Sequence, residues 1–234
     1  MNLNLNMNIK EMRDKGFTLL ELLIVISIVA ILSVALVVIL DPAETLRKSR
    51  DAQRISDMNS MKTALGLYLT STTTPYLGSA TSTPGGCKTT PTTAWALPMR
   101  IYYSYNGTGA GTGTVDGVGG LGYSTSTPSI TDGSGWIPVN FDSLTGGSPI
   151  SNLPLDPVNT IVTLATPVNN ISNGGDFVYR YACSITPLAF EINAKLESIA
   201  YTSTDNKMTS DGGNNSNLYE VGTNLKILTS AISF

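Results

Sequence analysis

The chain has 234 residues, enough for one membrane helix and one modest domain, and its 13% charged residues leave a net charge of −3. That balance gives no electrostatic ground for broad nucleic-acid binding. There is no histidine, which removes Ser-His-Asp and Cys-His catalysis, His-ligated zinc and the usual general base. No other catalytic motif takes their place, so the chain is expected to be no enzyme and to need no cofactor.

Residues 1–16 are Asn-rich and have no apolar centre, unlike a secretory signal peptide. From Phe17 to Leu40 the chain is apolar except for Thr18, Ser27, Ser33 and one charge, Glu21. As a helix this run covers roughly 36 Å, against a bilayer core of ~30 Å. An ionisable group in such a segment usually needs a partner. The bland alternative is a signal anchor that tolerates one interfacial acid. Basic residues do not fix the orientation, because Lys10, Arg13 and Lys15 precede the run while Arg47, Lys48, Arg50 and Arg54 follow it.

The stretch Lys15-Gly16-Phe17-Thr18-Leu19-Leu20-Glu21 resembles the class III signal of type IV pilins and type II secretion pseudopilins, G-[FM]-T-x-x-E before an apolar helix. The resemblance implies cleavage after Gly16 by a prepilin peptidase and methylation of the new amino group on Phe17. It also implies that Glu21 faces the N-terminus of a neighbouring subunit in a filament. The physics of that role is sound, since a buried carboxylate needs a cation and cleavage creates one. Loss of residues 1–16 removes three basic and two acidic groups, taking the net charge from −3 to −4.

Asp41-Pro42-Ala43-Glu44 reads as a helix start, with Asp as N-cap and Pro at the first helical position. A break near residues 38–42 and a second helix to about Thr70 are expected. Leu46, Ile55, Met58, Met61, Ala64, Leu65 and Tyr68 form its apolar stripe. Arg47, Arg50, Asp51, Arg54, Asp57 and Lys62 are expected on much of the remaining surface.

Residues 70–93 are rich in Thr, Ser and Pro and read as a surface loop, with O-glycosylation as a variant reading. Three short Asn-x-Ser/Thr patterns start at Asn106, Asn170 and Asn214. Arg100–Tyr105 reads as a strand, and residues 107–122, with eight glycines, as a flexible loop. The Gly117-x-Gly119-x-x-Gly122 pattern inside it lacks a strand–turn–helix context and is discounted. Gly135–Phe141 reads as an irregular edge segment. Leu153-Pro154-Leu155-Asp156-Pro157 is similar to the L-P-x-D-P segment of major pseudopilins. Phe177–Ser184 and Leu188–Leu196 form a candidate antiparallel hairpin, the second with its apolar alternation toward the second helix. Lys226–Ile232 is a further candidate strand.

Cys87 and Cys183 fit one disulfide in an oxidising compartment, closing a loop of about 97 residues. Asp205, Asp211 and Glu220 are calcium candidates, suggested by the C-terminal calcium loop of major pseudopilins, although EF-hand spacing is absent and a Gly-Asn turn is the default.

The expected fold is α+β. A leader (1–16), a transmembrane and assembly helix (17–40) and an amphipathic helix (41–70) precede a head (71–234) with an antiparallel sheet. The resemblance implies a structural subunit of a type IV pilus or type II secretion-like pseudopilus. Its partners would be further copies of itself, the prepilin peptidase, an assembly platform and the membrane before assembly. The alternative is a minor, tip-located pilin acting as an adhesion or DNA-binding module.

Overall fold

The computed structural model describes residues 16–79, 86–106, 112–115, 118–161 and 176–228. It separates into two units, residues 1–45 and 46–234.

The first unit is dominated by α1, Leu19–Leu40, in which no residue is buried. Its Ile- and Val-rich sequence has modest helix propensity in water. In lipid, a helix satisfies every backbone polar group internally, so the same sequence is well suited there. Ser27 and Ser33 donate their hydroxyls to Leu23 O and Val29 O, each at 2.7 Å, and so present no unsatisfied polar group. The helix stops at Asp41, whose φ of 34° is left-handed. Asp41 Oδ1 accepts the Glu44 N–H at 3.2 Å and thereby caps the next helix, α2, Pro42–Ser71. The expected break and restart therefore lie at Asp41.

In the second unit, α2 buries Asp51, Arg54, Met58, Met61, Ala64, Leu65 and Tyr68. The apolar part of the expected stripe is buried from Met58 onward, whereas Leu46 is exposed and Ile55 half-buried. Asp51 and Arg54 do not occupy the exposed face as expected. They extend the buried stripe toward the N-terminus of the helix.

The head contains one six-stranded sheet in the order β2-β3-β1-β4-β5-β6. The strands are β1 (Ile101–Tyr103), β2 (Thr112–Val115), β3 (Val118–Tyr123), β4 (Arg180–Ser184), β5 (Ala189–Ala194) and β6 (Tyr219–Gly222). The β4–β5 hairpin has the expected antiparallel pairing, with Tyr181 opposite Ile192 and Cys183 opposite Phe190. The sheet is mixed rather than wholly antiparallel, because β1 and β3 run parallel. The β2–β3 hairpin places its second arm, not its first, beside β1.

That hairpin corrects the expectation of a loop over residues 107–122. Gly113 pairs with Gly122 across it. Glycine has no side chain, so such a strand carries no alternation of apolar and polar residues by which to read it. Two further corrections concern the C-terminal part. β6 lies at Tyr219–Gly222, where no strand was expected, and residues 226–228 are not a strand. The rest of that candidate, like Asn170, lies outside the described residues.

Both faces of the sheet are covered at β4 and β5. Tyr179, Tyr181, Cys183, Phe190, Ile192, Ala194 and Val221 form one cluster with Met58, Met61, Ala64, Leu65 and Tyr68 of α2. The same cluster takes in Trp136, Ile137, Val139 and Phe141, so the 135–141 segment, though irregular, is core. On the opposite face Ala182 and Ala189 join Trp95, Met99, Leu218, Ile227 and Leu228. This second layer buries Glu191 and Asn193, the polar partners in the β5 alternation. Glu191 Oε2 accepts the Ile227 and Leu228 N–H groups at 2.8 and 2.9 Å and fastens the segment there. Cys87 and Cys183 form a disulfide with a Cα–Cα distance of 4.7 Å, joining the segment before β1 to β4.

Candidate functional site

The N-terminal end of α1 is built by a four-residue device. Thr18 is the N-cap, and its Oγ1 accepts the Glu21 N–H at 3.2 Å. Glu21 Oε2 in return accepts the Thr18 N–H at 2.9 Å and the Thr18 hydroxyl at 2.8 Å. This reciprocal capping box satisfies donors that a helix start leaves without intrahelical partners. The Thr-x-x-Glu spacing that signals it was legible in the sequence, where Glu21 was read as the partner of a neighbour's N-terminus and not as a cap of its own helix. Glu21 Oε1 makes no contact of this kind among the described residues, so one carboxylate oxygen stays open to a cation.

Gly16 and Phe17 precede the cap in non-helical conformation, and Phe17 is 87% exposed. The Gly16–Phe17 bond therefore lies outside the helix, before its cap. Beyond the cap, the apolar side chains of α1 are exposed on every side. An uninterrupted apolar surface of this length cannot rest in water and marks a membrane or protein contact. The helix has the length and composition to cross a bilayer. Ser27, Ala30, Ser33 and Ala35 offer small positions for close helix approach.

The calcium candidates are placed otherwise than as one ligand set. Asp205 forms an exposed ion pair with Lys207 at 2.6 Å. Asp211 accepts the Gly213 and Glu220 N–H groups, both at 2.8 Å. Glu220 lies in β6, accepts the Asn215 N–H at 2.9 Å and faces Glu191. Burial, followed by the Glu220 contact, pushes the Glu191 carboxyl well above its ordinary range. Among the described residues no three His, Cys, Asp or Glu side chains converge as a metal site.

An ion-pair network in the head was missed. Arg54 donates through Nε and Nη2 to both oxygens of Asp156, at 2.7 and 2.9 Å. Its Nη1 reaches Asp51 at 2.8 Å and Glu197 at 2.7 Å. Arg50 grips Glu197 through two further bonds, at 2.7 and 2.8 Å. Asp51 also accepts the Glu197 and Ser198 N–H groups. The arginine bonds hold Glu197 at about 2, far below the usual carboxylate range. The network ties α2 to the segment after β5 and to the Leu153–Pro157 segment. The signal was available, because positions 51, 54, 58, 61, 65 and 68 continue one three- and four-residue spacing.

A family model described as the prokaryotic N-terminal methylation motif matches residues 12–37. No curated protein and no solved structure matches the chain.

Proposed function

We propose that this chain is a type IV pilin-like prepilin, a membrane-anchored precursor processed by prepilin peptidase, and a structural subunit of a helical filament. The filament is a type IV pilus or a type II secretion-like pseudopilus. Cleavage between Gly16 and Phe17 frees an amino group, which is methylated. α1 then moves from lipid into a bundle of identical helices. In this reading the protein catalyses nothing and requires no cofactor, and its partners are its own copies, the peptidase and the assembly platform.

The observation that carries the reading is the methylation motif fused to a helix with no buried residue. Such a helix has two environments that suit it, a bilayer and a sheath of other subunits. Glu21 favours the second environment. Its Oε2 is committed to its own helix start, and its Oε1 is free to accept from the cationic Phe17 amino group of a neighbour. Charge pairing of that kind specifies register when many equivalent apolar helices pack side by side.

The test is Glu21→Leu in a strain expressing only that variant. Leu at this position suits lipid better than Glu, so the protein should be cleaved and reach the membrane at normal level. Filament yield should fall sharply. Normal filament yield at normal membrane level would return Glu21 to a simple capping role. Glu21→Gln separates the two roles further, because an amide still completes a capping box but offers no charge.

A further inference from the structure

One cleft in the head has no part in assembly as described above. It encloses about 740 Å³ between the end of α2, the segment after it, β1, β3 and the Asp132–Asn140 turn. That volume is typical of small-molecule sites. Its floor is Tyr102, packed edge-to-face on Tyr123 with ring centroids 5.7 Å apart. Tyr76 and Tyr123 stand at the opening, 37% and 39% exposed. Their hydroxyls make no hydrogen bond among the described residues.

Arg100 lines the same cleft, and its Nη1 is buried without a hydrogen-bond partner. It forms no ion pair among the described residues, whereas Arg50 and Arg54 are paired. A buried guanidinium N–H without an acceptor is unfavourable, and a carboxylate is the group whose geometry best satisfies it. Across the cleft, Asp132 turns one oxygen to Ser134, and its other oxygen has no hydrogen bond among the described residues. Asn140 accepts the Ser143 N–H through Oδ1, and its amide nitrogen has no hydrogen bond among the described residues.

We propose that this cleft binds a carboxylate-bearing saccharide, such as a uronic or sialic acid unit of a glycan. The sugar carboxylate meets Arg100, the Tyr76 and Tyr123 rings take the apolar face of a pyranose, and Asp132 and Asn140 accept and donate to ring hydroxyls. The polar lining argues against a purely apolar ligand. Charge argues against a polyanion: a single arginine neutralises one charge, Asp132 shares the cleft, and the whole chain carries −3. The inference concerns the head alone and holds whether or not α1 assembles as proposed.

The test is calorimetric titration of the full chain in micelles of a detergent without a sugar headgroup. The probes are trigalacturonic acid, sialyllactose, neutral galactotriose and a hexathymidylate strand. Saturable binding of at least one acidic sugar is expected, with galactotriose weaker by about tenfold or more for want of the charged contact. Arg100→Gln and Tyr123→Ala should each weaken the acidic sugar by about tenfold while the melting temperature stays near wild type. Tyr123 is at the rim, so its variant remains informative if Arg100→Gln fails to fold. Absence of saturable binding by both acidic sugars overturns the proposal. So does unchanged binding in Tyr123→Ala, or tighter binding of hexathymidylate than of either sugar.

Discussion

Replacing Arg54 by Met removes a cation that touches three carboxylates at once. The side chains of Arg54, Asp51 and Asp156 are fully buried, and that of Glu197 is 13% exposed. Met keeps the apolar stem of the side chain but not the guanidinium, so the main perturbation is the loss of the charge and its hydrogen bonds. Asp51 keeps backbone partners at Glu197 and Ser198, and Asp156 keeps the Val158 N–H at 2.9 Å. Neither keeps a cation among the described residues, and Glu197 keeps only Arg50. Breaking a buried pair from one side costs about 3–5 kcal/mol. For a chain of this size that corresponds to a fall in melting temperature of about 6–20 °C. Trp136 reports it well: it is fully buried and donates its indole N–H to Pro154 O at 3.1 Å, two residues from Asp156. The assay is thermal unfolding of the full chain in micelles, followed by tryptophan fluorescence. Adding Asp156→Leu to Arg54→Met should recover part of the loss, with a coupling of about 1 kcal/mol or more, because both ends of the closest pair then become apolar. A single variant melting within about 2 °C of wild type would refute a structural role for the network.

Glu197, held at about 2 against an ordinary 4.5, contributes stability that is fully present above pH 4.5 and lost as the pH falls toward 2. The depression corresponds to about 3 kcal/mol at most, and Glu197→Gln should flatten the acid limb of a stability–pH curve. Glu191 has the opposite sign. Its raised pKa makes stability decline as the pH rises above 4.5, so Glu191→Gln should reduce that decline in urea unfolding at pH 6–9. Replacing both Cys87 and Cys183 by Ala opens a loop spanning 96 positions and should cost about 4–5 kcal/mol, read from the urea midpoint of the oxidised wild type against the variant.

The N-terminal part of the molecule was legible because its signals are local. Asp41-Pro42 shows both a cap and a stop, and an apolar run without polar periodicity has few alternatives. The β4–β5 hairpin was legible because aromatic and apolar residues alternate across it. What escaped depended on partners distant in sequence. Arg54 looks like a surface residue until Asp156, 102 positions away, is placed beside it. Glu191 looks like the solvent side of an amphipathic strand until Ile227 and Leu228 cover it. β2 and β3 carry four glycines in ten residues, and glycine fits a strand, a turn or a loop equally well. The Tyr76–Arg100–Tyr123 cleft gathers single residues from separate segments, and no spacing within the chain announces it.

The central claim is that the chain is cut at Gly16 and built into a filament. Intact-mass analysis of filaments sheared from cells tests it most directly. The account predicts a chain that begins at Phe17 and carries one added methyl group on its amino terminus. Filaments whose subunits retain residues 1–16, or filaments that lack this chain altogether while the membrane contains it, would contradict the account.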